Sequence, residues 1–201
     1  PDGKRIFLGR VDGPIDLWDF SEGKRIAALN GHDGTLWSLS LNREGTRLVS
    51  GAWDKTVRIW DATTGELLHT LAGHEWPVRG VAYRPDGKMV ASGSEDDTVR
   101  LWDPTDGRHL QTLNKHVLRV YSVVFSPGGD LLYIGSGMPR QGGTLQIYEQ
   151  KPEGYVCAGC VADHGLPTWS VAVSPDGKLL AEGSEDRGIV LRSAVNAENF
   201  E

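Results

Sequence analysis

Cysteine is scarce in this chain of 201 residues: there are two. Two cannot build a disulfide framework, which excludes the stapled secreted miniproteins and favours a cytoplasmic setting. Basic residues are the minority, 21 Lys and Arg against 27 Asp and Glu. The net charge of −6 opposes unassisted attraction to nucleic acid or an anionic membrane, so neither is expected as a partner. No apolar run approaches the roughly 20 residues that span a bilayer, and no signal peptide opens the chain. The first residue is Pro1, so the natural start is expected upstream. Several catalytic signatures are missing as well. There is no G-x-S-x-G, every Gly-Lys pair lacks the Ser or Thr of a Walker loop, and HEWPV from His74 is not H-E-x-x-H. GSGMPR from Gly135 lacks the third glycine of a dinucleotide loop.

Glycine (26) and tryptophan (7) are plentiful, which suits many short turns between strands held by large anchoring side chains. They recur with a fixed period. IDLWD, VRIWD and VRLWD end at Asp19, Asp61 and Asp103, so that Trp18, Trp60 and Trp102 are each 42 residues apart. His32, His74 and His116 keep the same 42-residue interval, and His164 follows 48 further on. Turn signals hold a constant phase between them: NREG, RPDG, SPGG and SPDG end at Gly45, Gly87, Gly129 and Gly177. Within one unit, VRGVAY, KMVASG, TVRLWD and RHLQTL read as four short strands separated by Pro/Gly/Asp turns. Strands of about six residues at a period of 40–45 with GH and WD dipeptides point to propeller blades.

In these residues the sequence resembles the WD-repeat family over essentially its whole length. The resemblance implies an all-β propeller segment with five blades or part-blades of four antiparallel strands: a partial blade at 1–29, blades at 30–71, 72–113 and 114–161, and a partial blade at 162–201. Family members commonly have seven blades, so the remaining ones are expected from chain outside this sequence, and the segment is not expected to close by itself. The polar tail SAVNAENFE from Ser193 is a poor candidate for a missing outer strand.

The resemblance also implies a buried hydrogen-bonded set in each regular blade: His32, Ser50, Asp54 and Trp60 in the second, His74, Ser92, Asp96 and Trp102 in the third. A Ser, a His and an Asp in one chain of hydrogen bonds look like a hydrolase triad. The structural reading is better, because an indole N–H engages the serine oxygen and a scaffold, unlike a catalytic site, needs the set repeated. No catalytic residue, cofactor or metal site is expected. The other blades depart from the pattern. The first has Leu8 at the serine position, the fourth has Ile134 and Tyr148 for Ser and Trp, and the fifth has Glu182 and Arg192, which are expected to form an ion pair.

Function in such a fold lies in its loops. The loops before the inner strands and those bearing the Asp open on one face, the top. Five residues after each His stand Trp37, Arg79, Tyr121 and Trp169, three aromatics and an arginine at one repeated, exposed position. Trp53, Trp76 and Arg119 lie nearby, and the fourth blade's Asp-bearing loop is about four residues longer, carrying Met138, Pro139, Arg140 and Gln141. These residues are the expected contacts for a protein or peptide partner, and the chain reads as an interaction scaffold. A channel-mouth enzyme and a purely structural spacer are the alternatives. Cys157-Ala-Gly-Cys160 falls in the outer strand of the fourth blade, where three residues span about 10 Å and should point to opposite faces, so neither a disulfide nor a metal site is expected.

Overall fold

A computed structural model describes residues 3–113, 118–139, 141–185 and 188–194, without the side chains of 162–164. Among the described residues there are 18 strands in five antiparallel sheets. The first sheet holds β1 (Arg5–Gly9), β2 (Ile15–Asp19) and β3 (Lys24–Leu29). The second holds β4 (Leu36–Leu41), β5 (Arg47–Ala52), β6 (Val57–Asp61) and β7 (Leu67–Leu71). The third holds β8 (Val78–Tyr83), β9 (Val90–Ser94), β10 (Val99–Trp102) and β11 (His109–Leu113). The fourth holds β12 (Val120–Phe125), β13 (Leu131–Met138), β14 (Gly142–Lys151) and β15 (Gly154–His164), and the fifth β16 (Thr168–Val173), β17 (Leu179–Ser184) and β18 (Ile189–Ser193). Strands neighbour one another in chain order within every sheet.

The hairpins form where the turn chemistry requires them. Gly45, Gly87, Gly129 and Gly177 all adopt left-handed φ angles between 68° and 80°, and each donates its N–H to the carbonyl three residues back. A Cβ would be strained there, which is why the repeat ends this turn in glycine. In the fourth sheet the extra residues lengthen the hairpin. β14 and β15 run to 10 and 11 residues, and the pairing continues to Met138 opposite Gly142. The expected long loop is therefore mostly ladder, closed by a turn in which Gln141 N–H bonds Met138 O; Arg140 lies outside the described residues.

Alternation of side chains gives each sheet two apolar faces, and each junction between sheets has its own core. Ile15, Leu17 and Leu29 pack with Leu36, Leu48 and Trp60. Val49, Val57 and Ile59 pack with Val78, Val81 and Trp102. Ala91, Val99 and Leu101 meet Val120, Val123 and Ile134, while Tyr133, Leu145 and Ile147 meet Val171 and Leu180. Burying one such aliphatic side chain is worth about 1.5–3 kcal/mol, so the junctions supply most of the cohesion. The second strand of one sheet comes close to the first strand of the next: a Cβ on Gly51 would lie 2.6 Å from Val78 Cγ1, and one on Gly93 2.3 Å from Val120 Cγ1. Serine hydroxyls stitch the first strands of successive sheets together. Ser38 and Ser40 accept the N–H groups of Val81 and Tyr83, both at 3.1 Å, and Ser122 accepts that of Val171.

Candidate functional site

The inner strands β4, β8, β12 and β16 each carry one residue that the ladder does not pair. In β4, Leu36 pairs with Ala52 and Ser38 with Gly51, which leaves Trp37 as the extra residue of a bulge. Arg79, Tyr121 and Trp169 are the corresponding extra residues of β8, β12 and β16. A bulge re-aims the side chain of its unpaired residue. Here four equivalent bulges turn one side chain from each inner strand towards a common cavity of about 300 Å³.

The four side chains interlock in two pairs. The Arg79 guanidinium carbon sits 3.7 Å from the centroid of the Trp37 ring, a cation–π contact. Tyr121 and Trp169 lie with ring centroids 4.3 Å apart and planes inclined by 46°. Trp37 and Trp169 remain 44% and 43% exposed, whereas Tyr121 is only 7% exposed. The expectation of four exposed residues is thus corrected for Tyr121, which the Trp169 ring covers, and for Arg79, whose side chain is only 19% exposed. Burial pushes the Tyr121 phenol above its ordinary pKa.

Glu95 organises the rim. It follows Ser94 in the turn between β9 and β10, and its N–H bonds the Pro77 carbonyl at 3.1 Å. Its Oε1 accepts Arg79 Nε and Nη2, and its Oε2 lies 3.1 Å from Arg119 Nη1. One carboxylate therefore fixes two guanidiniums, and holds Arg79 flat on Trp37. This role is invisible in the repeat, where Glu95 merely stands at the position of Trp53. Glu95 also lines a second cavity of about 280 Å³ with Trp53, Lys55, Glu75, Trp76 and Pro77. Trp53 and Trp76 are each 55% exposed there. The structure brings Trp53 and Trp76 to one cavity and Trp37, Arg79, Tyr121 and Trp169 to the other, and Glu95, which lines the first, links the two through Arg79.

The two buried polar sets have the expected connectivity. His32 places Nδ1 2.8 Å from Asp54 Oδ2 and Nε2 2.7 Å from Ser50 Oγ, and Trp60 Nε1 donates to the same Oγ at 2.8 Å. The third sheet repeats this with His74, Asp96, Ser92 and Trp102, each bond at 2.8 Å. A carboxylate can only accept, so in the neutral ring Nδ1–H donates to Asp and Nε2 accepts a hydrogen bond from the serine hydroxyl. This is the connectivity of a hydrolase triad, but Ser50 and Ser92 are 0% exposed and an indole caps each hydroxyl. No substrate can approach the oxygen. Thr56 and Thr98 join the sets, donating to Asp54 and Asp96 at 2.7 and 2.6 Å, a participation that the D-x-T spacing could have signalled. Burial works to raise both carboxyls, but donation from His and Thr side chains and from the Asp33 and Glu75 N–H groups outweighs it and holds them well below the usual carboxylate range.

Two of the departing blades show what replaces the regular set. With Leu8 at the serine position, the buried Trp18 Nε1 has no acceptor among the described residues. In the fifth sheet Arg192 Nε donates to Glu182 Oε1 at 2.6 Å, so an ion pair stands where indole and hydroxyl meet elsewhere. His116 lies outside the described residues, as does the side chain of His164. Among the described residues no three His, Cys, Asp or Glu form a metal-binding group.

Three stretches, residues 23–61, 65–103 and 107–149, match the family described as WD domain, G-beta repeat. Each match runs from an outer strand through the first three strands of the next sheet, so a sequence repeat straddles a junction. The chain is also 41% identical over 44 residues to autophagy-related protein 16 of Arabidopsis thaliana, covering 22% of this chain and 9% of that protein. It is 41% identical over 49 residues to angio-associated migratory cell protein of Homo sapiens, covering 23% of this chain and 11% of the relative. These matches span about a tenth of the length of either relative. With its period, its five stacked sheets and the family match over more than half its length, this chain belongs to the WD-repeat family, whose members generally serve as protein-interaction scaffolds.

Proposed function

We propose that the chain is a non-catalytic scaffold that receives a protein or peptide partner on the face where the four inner-strand bulges converge. The observation that carries this reading is the convergence itself. Four equivalent positions hold Trp37, Arg79, Tyr121 and Trp169 around one cavity, and Trp and Arg dominate the residues that carry interface energy. The set is preorganised by the Arg79–Glu95 clamp and the Tyr121–Trp169 stack, so little conformational entropy is lost on binding. Trp53 and Trp76, half-exposed beside Pro77, extend the same surface outward. A cytoplasmic site of action belongs to the same proposal.

The test is affinity capture followed by mass spectrometry, comparing wild type with Trp37→Ala/Trp169→Ala and with a control pair on exposed positions elsewhere, Phe20→Ala/Leu179→Ala. Circular dichroism establishes that all three are folded. A partner kept by wild type and by the control, and lost by the first double variant, is the expected result. Retention by all three removes the bulge cluster from the binding surface.

A further inference from the structure

The bulges of the inner strands have counterparts in the outer ones. Opposite the Trp position, each outer strand inserts one unpaired residue: Ile26 in β3, Leu68 in β7, Leu110 in β11 and Ala158 in β15. In β15 this places Cys157 opposite Tyr148 and Cys160 opposite Gln146. Tyr148 and Gln146 are two residues apart on β14 and share a face, so Cys157 and Cys160 share it too. The expectation that the two thiols point to opposite faces is overturned, because the bulge absorbs one residue of the alternation. Both cysteines are exposed and neither is in a disulfide.

The third sheet shows that side chains at these two positions face one another. There the equivalent positions are His109, opposite Trp102, and Thr112, opposite Arg100. His109 Nε2 lies 2.8 Å from Thr112 Oγ1, a direct contact across the bulge. The two backbone positions are separated by about two strand residues, roughly 7 Å. At that spacing two Sγ atoms leaning together reach the separation set by two bonds of about 2.3 Å to one tetrahedral ion. A disulfide demands a much closer approach of the Cβ atoms, about 3.8 Å. Gln146, the cross-strand partner of Cys160, carries a further donor atom. Gln146 Oε1 is buried and has no hydrogen-bond partner among the described residues.

We propose that Cys157 and Cys160 form a two-thiolate site for a thiophilic divalent cation of the zinc class, with Gln146 Oε1 as the adjoining oxygen donor. No third His, Cys, Asp or Glu completes a cluster among the described residues, and water is the further ligand of the proposed site. Each thiol releases its proton to solvent when the metal–sulfur bond forms, two protons per ion. This site lies on an outer strand and does not depend on the partner-binding reading.

The experiment titrates the reduced chain with Cd²⁺, following ultraviolet thiolate-to-cadmium charge-transfer absorption and proton release, with circular dichroism to show that every variant is folded. One ion per chain and two protons per ion are expected. Cys157→Ser and Cys160→Ser, assayed separately, should each weaken binding at least tenfold and reduce proton release to one or none, and Gln146→Leu should weaken it severalfold. Serine variants that bind cadmium as tightly as wild type overturn the proposal, and so does a folded, reduced wild type that shows no charge-transfer band.

Discussion

At the residue scale the molecule is governed by how it treats its buried polar groups. Each hydrogen-bonded set places a histidine between a serine and an aspartate, and each polar atom is affordable only because another satisfies it. Asp96 is the electrostatic end of its set: His74, Thr98 and the Glu75 N–H all direct protons at it, and its folded pKa lies well below that of an unfolded aspartate. A carboxyl depressed by folding contributes stability that is fully present above the unfolded pKa near 4 and is lost as pH falls towards the folded value. Wild type should therefore lose more stability between about pH 5 and pH 2 than Asp96→Asn does, although the variant is the less stable of the two at neutral pH. Urea unfolding at a series of pH values measures both. Parallel acid branches would show that Asp96 contributes nothing to the pH dependence. The histidines, serines and tryptophans of these sets were legible in the sequence because they recur at 42 residues. The Glu95 clamp was not, since it depends on Arg79 and Arg119 arriving from two different sheets.

At the scale of the element, the informative feature is the bulge. Strand positions, turn glycines and sheet order follow from the period, but an unpaired residue is a property of two strands together and leaves no mark in either alone. The sequence therefore located Trp37, Arg79, Tyr121 and Trp169 by phase without revealing why they turn inward. It misplaced Cys157 relative to Cys160 by assuming unbroken alternation. Close approach between strands is equally hidden. Gly93 has an ordinary backbone, yet a Cβ on it would fall 2.3 Å from Val120 Cγ1 and 3.1 Å from Val123 Cγ1, both stiff branched side chains of the next inner strand. Gly93→Ala should cost about 1–3 kcal/mol through overpacking. Gly165→Ala, where a Cβ meets nothing within 4 Å, should stay within about 0.5 kcal/mol of wild type. Equal midpoints for the two variants in urea would mean that β9 and β12 separate at little cost.

At the scale of the whole molecule, cohesion runs from neighbour to neighbour. The four cores each join two successive sheets, and each matched repeat spans one such junction. Architectures of this kind behave as a line of units coupled only to those beside them, so damage should be felt locally. Leu180 tests this. It is 0% exposed and belongs to the core between the fourth and fifth sheets, and its truncation to alanine should cost about 2–5 kcal/mol at that junction. In Leu180→Ala, amide hydrogen exchange should accelerate throughout β16–β18 and along β13 and β14, which share that core. Protection in β4–β7, two junctions away, should remain at its wild-type level. If exchange accelerates equally in all five sheets, the stack unfolds as one cooperative body and coupling must pass through every junction. Local loss would mean that the bulge cluster can keep three of its four side chains in place while the sheet carrying Trp169 opens, which separates the stability of the scaffold from the integrity of the surface it presents.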